Sequence, residues 1–357
     1  MIEFASLALE KLLADRGATA VTMRKGDRSL QTVGRRHLRA IDLFCGAGGS
    51  SWGARAAGVD VVAGFDRWGL AGKVYQDNFP STKFFSGSLE DIDPARLESR
   101  LGQVDLLLAS PECTNHSPAK GSSPRCEKSK GTAFQVVRFA AAFEPRWIVV
   151  ENVVNMRNWS RYPEFVEKLQ CLGYEVREHI FNAADFAVPQ SRRRLFLLCD
   201  RDLEPASIPP PSSTPRSARS ILQRNAAFSY SPLRTEQRAE ATIERAERAI
   251  QMLGQDEQFL LVYYGSDGGG GWQTLDSHLR TVTTLDRFAH VKPSPNGHLM
   301  RMLQVPEIRT AMGMHETFKI NHGSRRDRIH MLGNAVCPPV MKAIVDALVA
   351  NATSGGK

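Results

Sequence analysis

One cysteine in this sequence stands where covalent chemistry could take place. Cys113 lies in the segment SPECTNHSPAKG (110–121), just after the apolar run 106–108 and a proline. An apolar run closed by proline predicts a short buried strand that ends there, and the carboxyl ends of such strands are where α/β proteins hold their ligands. Position alone leaves three interpretations open: a nucleophile, a metal ligand, or a small buried side chain, which is the usual state of a free cysteine.

A glycine-rich segment, DLFCGAGGSSWG (42–53), follows a predicted strand and opens a predicted helix. Glycines let a ligand approach the backbone, and a helix N-terminus favours negative charge, so this pattern is typical of a nucleotide site. The dinucleotide-binding pattern G-x-G-x-x-G requires glycine or alanine where this chain has Ser51, which argues against a dehydrogenase. Asp66 ends the next apolar run and is either a ribose ligand or a charge at a helix N-terminus.

Two further segments place charge beside apolar strands. Glu151 follows the apolar run WIVV, where an acid is unfavourable unless it has a task or partners. The segment VPQSRRRLF (188–196) carries three arginines into another apolar run. A surface basic patch is one interpretation, but guanidinium groups near a core favour a bound acid or phosphate.

The composition indicates a globular protein that could bind nucleic acid. The chain has 357 residues and a formal net charge of +8, which fits a nucleic-acid partner without establishing one. Its six cysteines form no C-x-x-C pair or zinc-like cluster, so we expect free thiols, a reducing cytoplasm and no metal. No apolar stretch approaches the length of a bilayer span, and the N-terminus does not resemble a signal peptide.

The order of the predicted elements indicates one large α/β domain interrupted by a smaller one. Strands and helices alternate over residues 39–203, which predicts a doubly wound parallel sheet with helices on both faces. A segment rich in proline and serine then leads into residues 204–292, which we predict to form a small inserted domain. Residues 293–350 return to the large domain, and residues 1–38 form an N-terminal extension.

Taken in order, six segments resemble the motifs of the cytosine C5 DNA methyltransferases. They are DLFCGAGGSS, SPEC, ENVV, PQSRRR, RTVTT (280–284) and RRDRIHMLGNAVCPP (325–339). Each motif is weak alone, but together they cover residues 39 to 350 in the order of the family. The resemblance implies a Rossmann-like methyltransferase sheet, with residues 204–292 as the target-recognition domain.

The resemblance also implies a cofactor, S-adenosylmethionine, and the residues that bind it. Five residues match the loop that binds the methionine part of this cofactor in the family: Phe44, Gly46, Ala47, Gly48 and Gly49. Asp66 matches the acid that binds the ribose. Asn334 and Ala335 match the late loop that closes over the same ligand.

The implied reaction is transfer of a methyl group to C5 of a cytosine in duplex DNA. Cys113 matches the nucleophile that adds to C6. This addition is needed because C5 alone is a poor nucleophile. Glu151 matches the acid that contacts N3 and the 4-amino group, and Arg192 and Arg194 match the family's paired arginines, with Arg194 expected at O2. The base that removes the C5 proton is not assigned.

The resemblance also implies which residues contact DNA: those of one loop and one further residue. A base in a duplex must be flipped out to reach a buried cysteine. The loop 117–131 matches the mobile segment after the nucleophile, and the expected DNA-contacting residues are Ser117, Lys120, Arg125, Lys128 and Gln190. We expect the protein to be a monomer. We expect it in the cytoplasm, associated with the nucleoid and not with membranes. A restriction endonuclease is a possible partner.

The chain departs from the family pattern at four positions: Glu112 and Thr114 flank the nucleophile, Ala187 replaces a glycine, and Ser88 replaces an acid near the adenine. A carboxylate beside the nucleophile raises the pKa of its thiol, so Glu112 is expected either to face solvent or to pair with Arg192, Arg194 or a loop lysine. Two other functions stay open, an RNA (tRNA) cytosine C5 methyltransferase and a DNA-binding regulator with an impaired site. No Cys-Phe-Thr signature of the RNA subfamily is present in the small domain.

Overall fold

A computed structural model of the chain describes residues 37–112, 131–209, 211, 214–223, 228–264 and 271–354. Most of the predicted N-terminal extension, Cys113 and the loop that follows it lie outside these residues.

The described residues form two sheets, and the larger one has seven strands. Its strands are β1 (Arg39–Leu43), β2 (Asp60–Asp66), β3 (Lys83–Ser86), β4 (Leu106–Ala109), β5 (Trp147–Asn152), β6 (Glu175–Asn182) and β7 (Arg193–Asp200). Their spatial order is β3-β2-β1-β4-β5-β7-β6. The first five strands run parallel, whereas β7 pairs antiparallel with both β5 and β6.

Helices connect these strands and cover both faces of the sheet. They are α1 (Gly49–Ala56), α2 (Gly69–Asn78), α3 (Pro94–Leu101), α4 (Phe134–Phe143) and α5 (Tyr162–Cys171). Alternate residues of the central strands point to opposite faces: Leu106 and Leu108 join one apolar cluster, and Leu107 joins the other. Strands buried on both faces read as unbroken apolar runs, which is why the sequence revealed them.

A second, antiparallel sheet follows the first. It contains β8 (Ser231–Pro232), β9 (Phe259–Val262), β10 (Trp272–Thr274), β11 (Phe288–Ser294) and β12 (Gly297–Met302), in the order β10-β9-β11-β12-β8. The helix α6 (Glu240–Leu253) packs on it through Ala246, Ala249 and Ile250. Three helices complete the chain: α7 (Val305–Ala311), α8 (Arg325–Asn334) and α9 (Pro338–Ser354).

The predicted α/β doubly wound architecture is confirmed. The strands expected before the glycine-rich segment, at Asp66, before Cys113, before Glu151 and after the arginines are all present. Sequence reasoning missed the antiparallel β6–β7 pair because the burial of β6 is irregular, so β6 carries no apolar run. The second sheet extends to Met302, past residue 292, where we predicted the small domain to end.

The last helix packs closely on the first one. A Cβ on Gly53 of α1 would meet the Pro338 carbonyl at 2.6 Å and Met341 at 2.7 Å, so only glycine allows this approach. The helical stretch Arg325–Thr353 has the length and composition of a membrane span, and half of its most apolar window is buried in the fold. A core helix of this kind passes the same test, so the finding is weak evidence for a membrane.

Candidate active site

The glycine-rich loop leaves the carboxyl end of β1 in a conformation that few residues adopt. Phe44, Gly46 and Gly48 all have positive φ, at 57°, 53° and 99°. A Cβ on Gly49 would meet the Val336 carbonyl at 2.3 Å, whereas one on Gly46 would meet nothing within 4 Å. Gly49 therefore serves packing against the late loop, and Gly46 leaves an open face where a ligand can approach.

Asp66 lies beside this loop, at the end of β2. One of its carboxylate oxygens accepts a hydrogen bond from the Gly46 N–H at 2.8 Å, and the other accepts one from the Trp68 N–H at 2.8 Å. Burial raises the pKa of Asp66, and the two backbone N–H groups oppose that rise. The structure thus places the loop predicted to bind the methionine part beside Asp66, the acid predicted to bind the ribose.

Beneath the loop lies a buried hydrogen-bonded group that sequence reasoning missed. Asp42 in β1 is fully buried; Ser51 in α1 donates to its Oδ2 at 2.6 Å and also contacts the Tyr75 hydroxyl at 2.9 Å. The other oxygen of Asp42 has no hydrogen-bond partner among the described residues. Burial raises the pKa of Asp42 to about 7. The signal that could have revealed it is Ser51, whose departure from the dinucleotide pattern supplies the hydrogen bond.

The predicted catalytic acid and one of the paired arginines meet at the ends of β5 and β7. Glu151 is 6% exposed, and its Oε1 lies 3.2 Å from Nε of Arg194. Burial raises the pKa of Glu151, while Arg194 and then Arg192 lower it. The next residue, Asn152, donates to the Pro111 carbonyl at 3.1 Å and so ties β5 to the segment that leads to Cys113.

The other predicted arginine binds the protein's own backbone. Arg192 is 3% exposed and donates to the carbonyls of Val282 at 3.0 Å, Gly333 at 2.8 Å and Ala335 at 3.2 Å. It joins the segment between β10 and β11 to the late loop. Arg192 and Arg194, both predicted to be catalytic residues, therefore have different surroundings.

Gln190 was predicted to contact DNA, and the structure places its side chain in the core instead. It is fully buried, accepts from the Val282 N–H at 2.7 Å and donates to the Ala311 carbonyl at 3.0 Å. Adjacent to it, the Ser191 N–H donates to the Leu279 carbonyl at 2.8 Å. Because its amide is satisfied inside the protein, Gln190 links the segment before β7 to the segment between β10 and β11 and to α7, rather than presenting a group to a duplex.

The late loop meets both halves of the site. Asn334, the last residue of α8, is exposed, and the Ala335 carbonyl accepts from Arg192. A small cavity lies between Glu151, Arg192 and Arg194 on one side and Phe181, Val336 and Cys337 on the other. Burial raises the pKa of Cys337 to about 11, so this thiol stays protonated at neutral pH.

The remaining predicted residues divide between described and undescribed parts of the chain. Four predicted DNA contacts, Ser117, Lys120, Arg125 and Lys128, lie outside the described residues together with Cys113. Glu112 is described and forms an ion pair with Arg67, a partner that the sequence did not suggest. Among the described residues, no group of three or more His, Cys, Asp or Glu side chains is arranged to hold a metal ion.

Ala187 shows why one departure from the family pattern is tolerated. Its φ is 58°, in the left-handed region, and it ends a short helical turn before the arginine segment. Glycine adopts this conformation without strain, and alanine does so at a cost of about 1 kcal/mol. The backbone therefore keeps the shape that the glycine of the pattern would give it.

The residues around the glycine loop fit S-adenosylmethionine. Gly46 has an open face, and the Asp66 carboxylate keeps lone pairs for further hydrogen bonds beyond the two it accepts.

Most of the chain is similar to known proteins. A family model described as C-5 cytosine-specific DNA methylase matches residues 38–350. The type II methyltransferase M.DdeI of Desulfomicrobium norvegicum is 31% identical over 195 residues, which is 52% of this chain and 47% of that protein. The match to M.AgeI of Thalassovita gelatinovora covers 42% of that protein at 30% identity, so this chain spans about half the length of these relatives.

Longer matches extend over most of the chain at lower identity. The type II methyltransferase M.HaeII of Haemophilus aegyptius is 25% identical over 88% of this chain and 93% of its own length. Among solved structures, the Entamoeba histolytica methyltransferase EhMeth superposes with a TM-score of 0.65 at 19% identity, covering 89% of this chain and 99% of that one. S. pombe Dnmt2 methyltransferase gives 0.63 at 16% identity, with the same coverage. At these identities, the structural matches establish the fold alone.

Proposed function

Because the chain belongs to the C-5 cytosine-specific DNA methylase family, we propose that it methylates C5 of a cytosine in duplex DNA. The observation that carries the proposal is the joint position of two half-sites at one edge of the large sheet. A glycine loop with Asp66 lies at the ends of β1 and β2, and Glu151 with Arg194 lies at the ends of β5 and β7.

The first half-site would hold S-adenosylmethionine, which supplies the methyl group as a sulfonium when bound. Asp66 would accept hydrogen bonds from the ribose hydroxyls, and the open face at Gly46 would admit the ligand to the backbone. Asn334 and Ala335 in the late loop would close the site from the other side.

The second half-site would act on the cytosine. In our proposal the Cys113 thiolate forms a bond to C6, and the electrons of the C5–C6 double bond shift toward C5. C5 would then accept the methyl group that the sulfonium supplies. Loss of the C5 proton restores the double bond and expels the thiolate; the base for this step is not assigned.

Glu151 and Arg194 would stabilise the charge that develops on the ring during the addition. Burial raises the pKa of Glu151, which favours a carboxyl that can share a proton with N3. Arg194 would donate to O2, where negative charge accumulates. Arg192, whose guanidinium is held by three carbonyls, would position the late loop rather than touch the base.

The two-domain division stays part of the proposal. Residues 39–203 and 293–350 would form the catalytic domain, and residues 204–292 would carry target recognition. Duplex DNA would lie between them with the target base flipped out, gripped by the segment 117–131. Gln190 would contribute by fixing the segment before β7 against the segment between β10 and β11 and against α7.

The test is methyl transfer from labelled S-adenosylmethionine by the full chain, offered duplex DNA or tRNA. We expect label in the DNA alone, and nucleoside analysis should identify it as 5-methylcytosine. Label in tRNA alone would instead support an RNA methyltransferase. Binding of DNA with no transfer to either substrate would support an impaired regulator.

A further inference from the structure

The ion pair between Arg67 and Glu112 spans the opening of the glycine loop. Arg67 directly follows β2, Glu112 lies three residues after β4, and β1 runs between those two strands. Strands two positions apart are separated by about 10 Å, so only two long side chains can meet across β1. The pair therefore crosses the strand end from which the loop emerges.

The backbone is held on both sides of this pair, while the Arg67 side chain has freedom to turn. Asp66 is fixed by the N–H groups of Gly46 and Trp68, and the Pro111 carbonyl is fixed by Asn152. The Arg67 side chain is 72% exposed, against 22% for that of Glu112. Loss of the pair would thus release a guanidinium without disturbing the strands.

Asp66 is the group that a released guanidinium would reach. Arg67 lowers the pKa of Asp66 and Glu112 raises it, so both charges already act on this carboxylate. An arginine bound to Asp66 would occupy the oxygens that ribose hydroxyls need, because a carboxylate and a guanidinium pair through two hydrogen bonds.

We infer that Glu112 holds the Arg67 guanidinium away from Asp66 and so keeps the ribose-binding carboxylate available to the cofactor. The inference rests on the proposed function, since it assigns Asp66 to the ribose. The inference gives a role to Glu112, whose charge would otherwise only oppose formation of the Cys113 thiolate. Glu112 is a positioning residue in this account: it touches Arg67, and Arg67 is the competitor.

The test is a double-mutant cycle on binding of S-adenosylhomocysteine to the full chain, measured by calorimetry at low ionic strength. Glu112→Gln should weaken binding about three- to fivefold, which is the range expected of one exposed ion pair. Arg67→Ala should stay within about twofold of wild type, because it removes the competitor. The double variant should regain wild-type affinity, and the loss in Glu112→Gln should shrink at about 1 M salt.

Glu164→Gln provides a matched control, since Glu164 forms an exposed pair with Arg161 on α5. It should bind S-adenosylhomocysteine like wild type. Thermal unfolding of each variant checks that the fold is intact, and Glu112→Asp, too short to hold the arginine, should weaken binding as the glutamine does.

Two results would overturn the inference. Unchanged binding in Glu112→Gln would show that the pair does not protect Asp66. A double variant as weak as Glu112→Gln would show that Glu112 acts on the ligand without Arg67. Either outcome leaves wild-type binding, and therefore the proposed function, in place. Failure of the wild-type protein to bind S-adenosylhomocysteine would instead remove both.

Discussion

The two half-sites at the edge of the large sheet differ in the groups that surround their acids. At the β1–β2 end, Asp42 and Asp66 are stabilised by a serine hydroxyl and by backbone N–H groups. At the β5–β7 end, Glu151 is flanked by Arg194, with Arg192 close enough to influence it. The Asp66 carboxylate suits the hydroxyl donors of a ribose, and the arginine-rich surrounding of Glu151 suits a base that gains negative charge during the reaction.

The largest expected effect is at the arginine end. Glu151→Gln should lower turnover at least about 100-fold while DNA affinity changes less than about threefold, because the proton near N3 matters mainly in the transition state. Single-turnover kinetics and DNA binding should be measured on the same preparation, with Glu164→Gln as the control. Equal losses of binding and turnover would point to a structural role for Glu151.

Arg192→Ala and Arg194→Ala should differ in how far they lower the free energy of unfolding. Arg192→Ala leaves three backbone carbonyls without their charged donor and should lower the free energy of unfolding by about 3 kcal/mol. Arg194→Ala should lower it by about 1 kcal/mol or less, but should reduce turnover. Urea unfolding checks this, with the exposed Arg193→Ala as the matched control. Similar stability losses for Arg192 and Arg194 would remove the distinction drawn between them.

At the β1–β2 end, a substitution should weaken binding of the cofactor product. Asp66→Ala should weaken S-adenosylhomocysteine binding at least about tenfold, since a hydrogen bond to an ionised group contributes about 1.5–3 kcal/mol. DNA binding without cofactor should be unchanged. If instead DNA binding falls and cofactor affinity does not, the assignment of the two half-sites is reversed.

Asp42 should make the stability of the fold depend on pH. Its pKa is about 7 in the folded chain against a usual 3.8, so the folded state holds the proton more tightly than the unfolded state. Its contribution to stability is therefore complete below the usual value and is lost as the pH rises through 7. Asp42→Asn removes this loss and should gain stability relative to wild type between pH 4 and 7, by up to about 4 kcal/mol. A difference that stays constant over this range would show that Asp42 is ionised throughout.

Much of the fold and part of the site followed from the sequence because they depend on local patterns. Buried strands read as apolar runs, and the glycine loop is marked by its own residues. The role of Arg192 could not be read in this way, because its acceptors Val282, Gly333 and Ala335 are 90 to 143 residues away in the chain. Gln190 and the Arg67–Glu112 pair were missed for the same reason: their partners come from elements far apart in sequence.

The most direct test of the central claim concerns Cys113. DNA in which cytosine is replaced by 5-fluorocytosine should trap a covalent complex with the full chain when S-adenosylmethionine is present, because the fluorine blocks the final elimination. Cys113→Ser should abolish the complex seen on a denaturing gel, and Cys337→Ser, which alters the buried thiol by Glu151, should retain it. A complex that persists in Cys113→Ser would contradict the account.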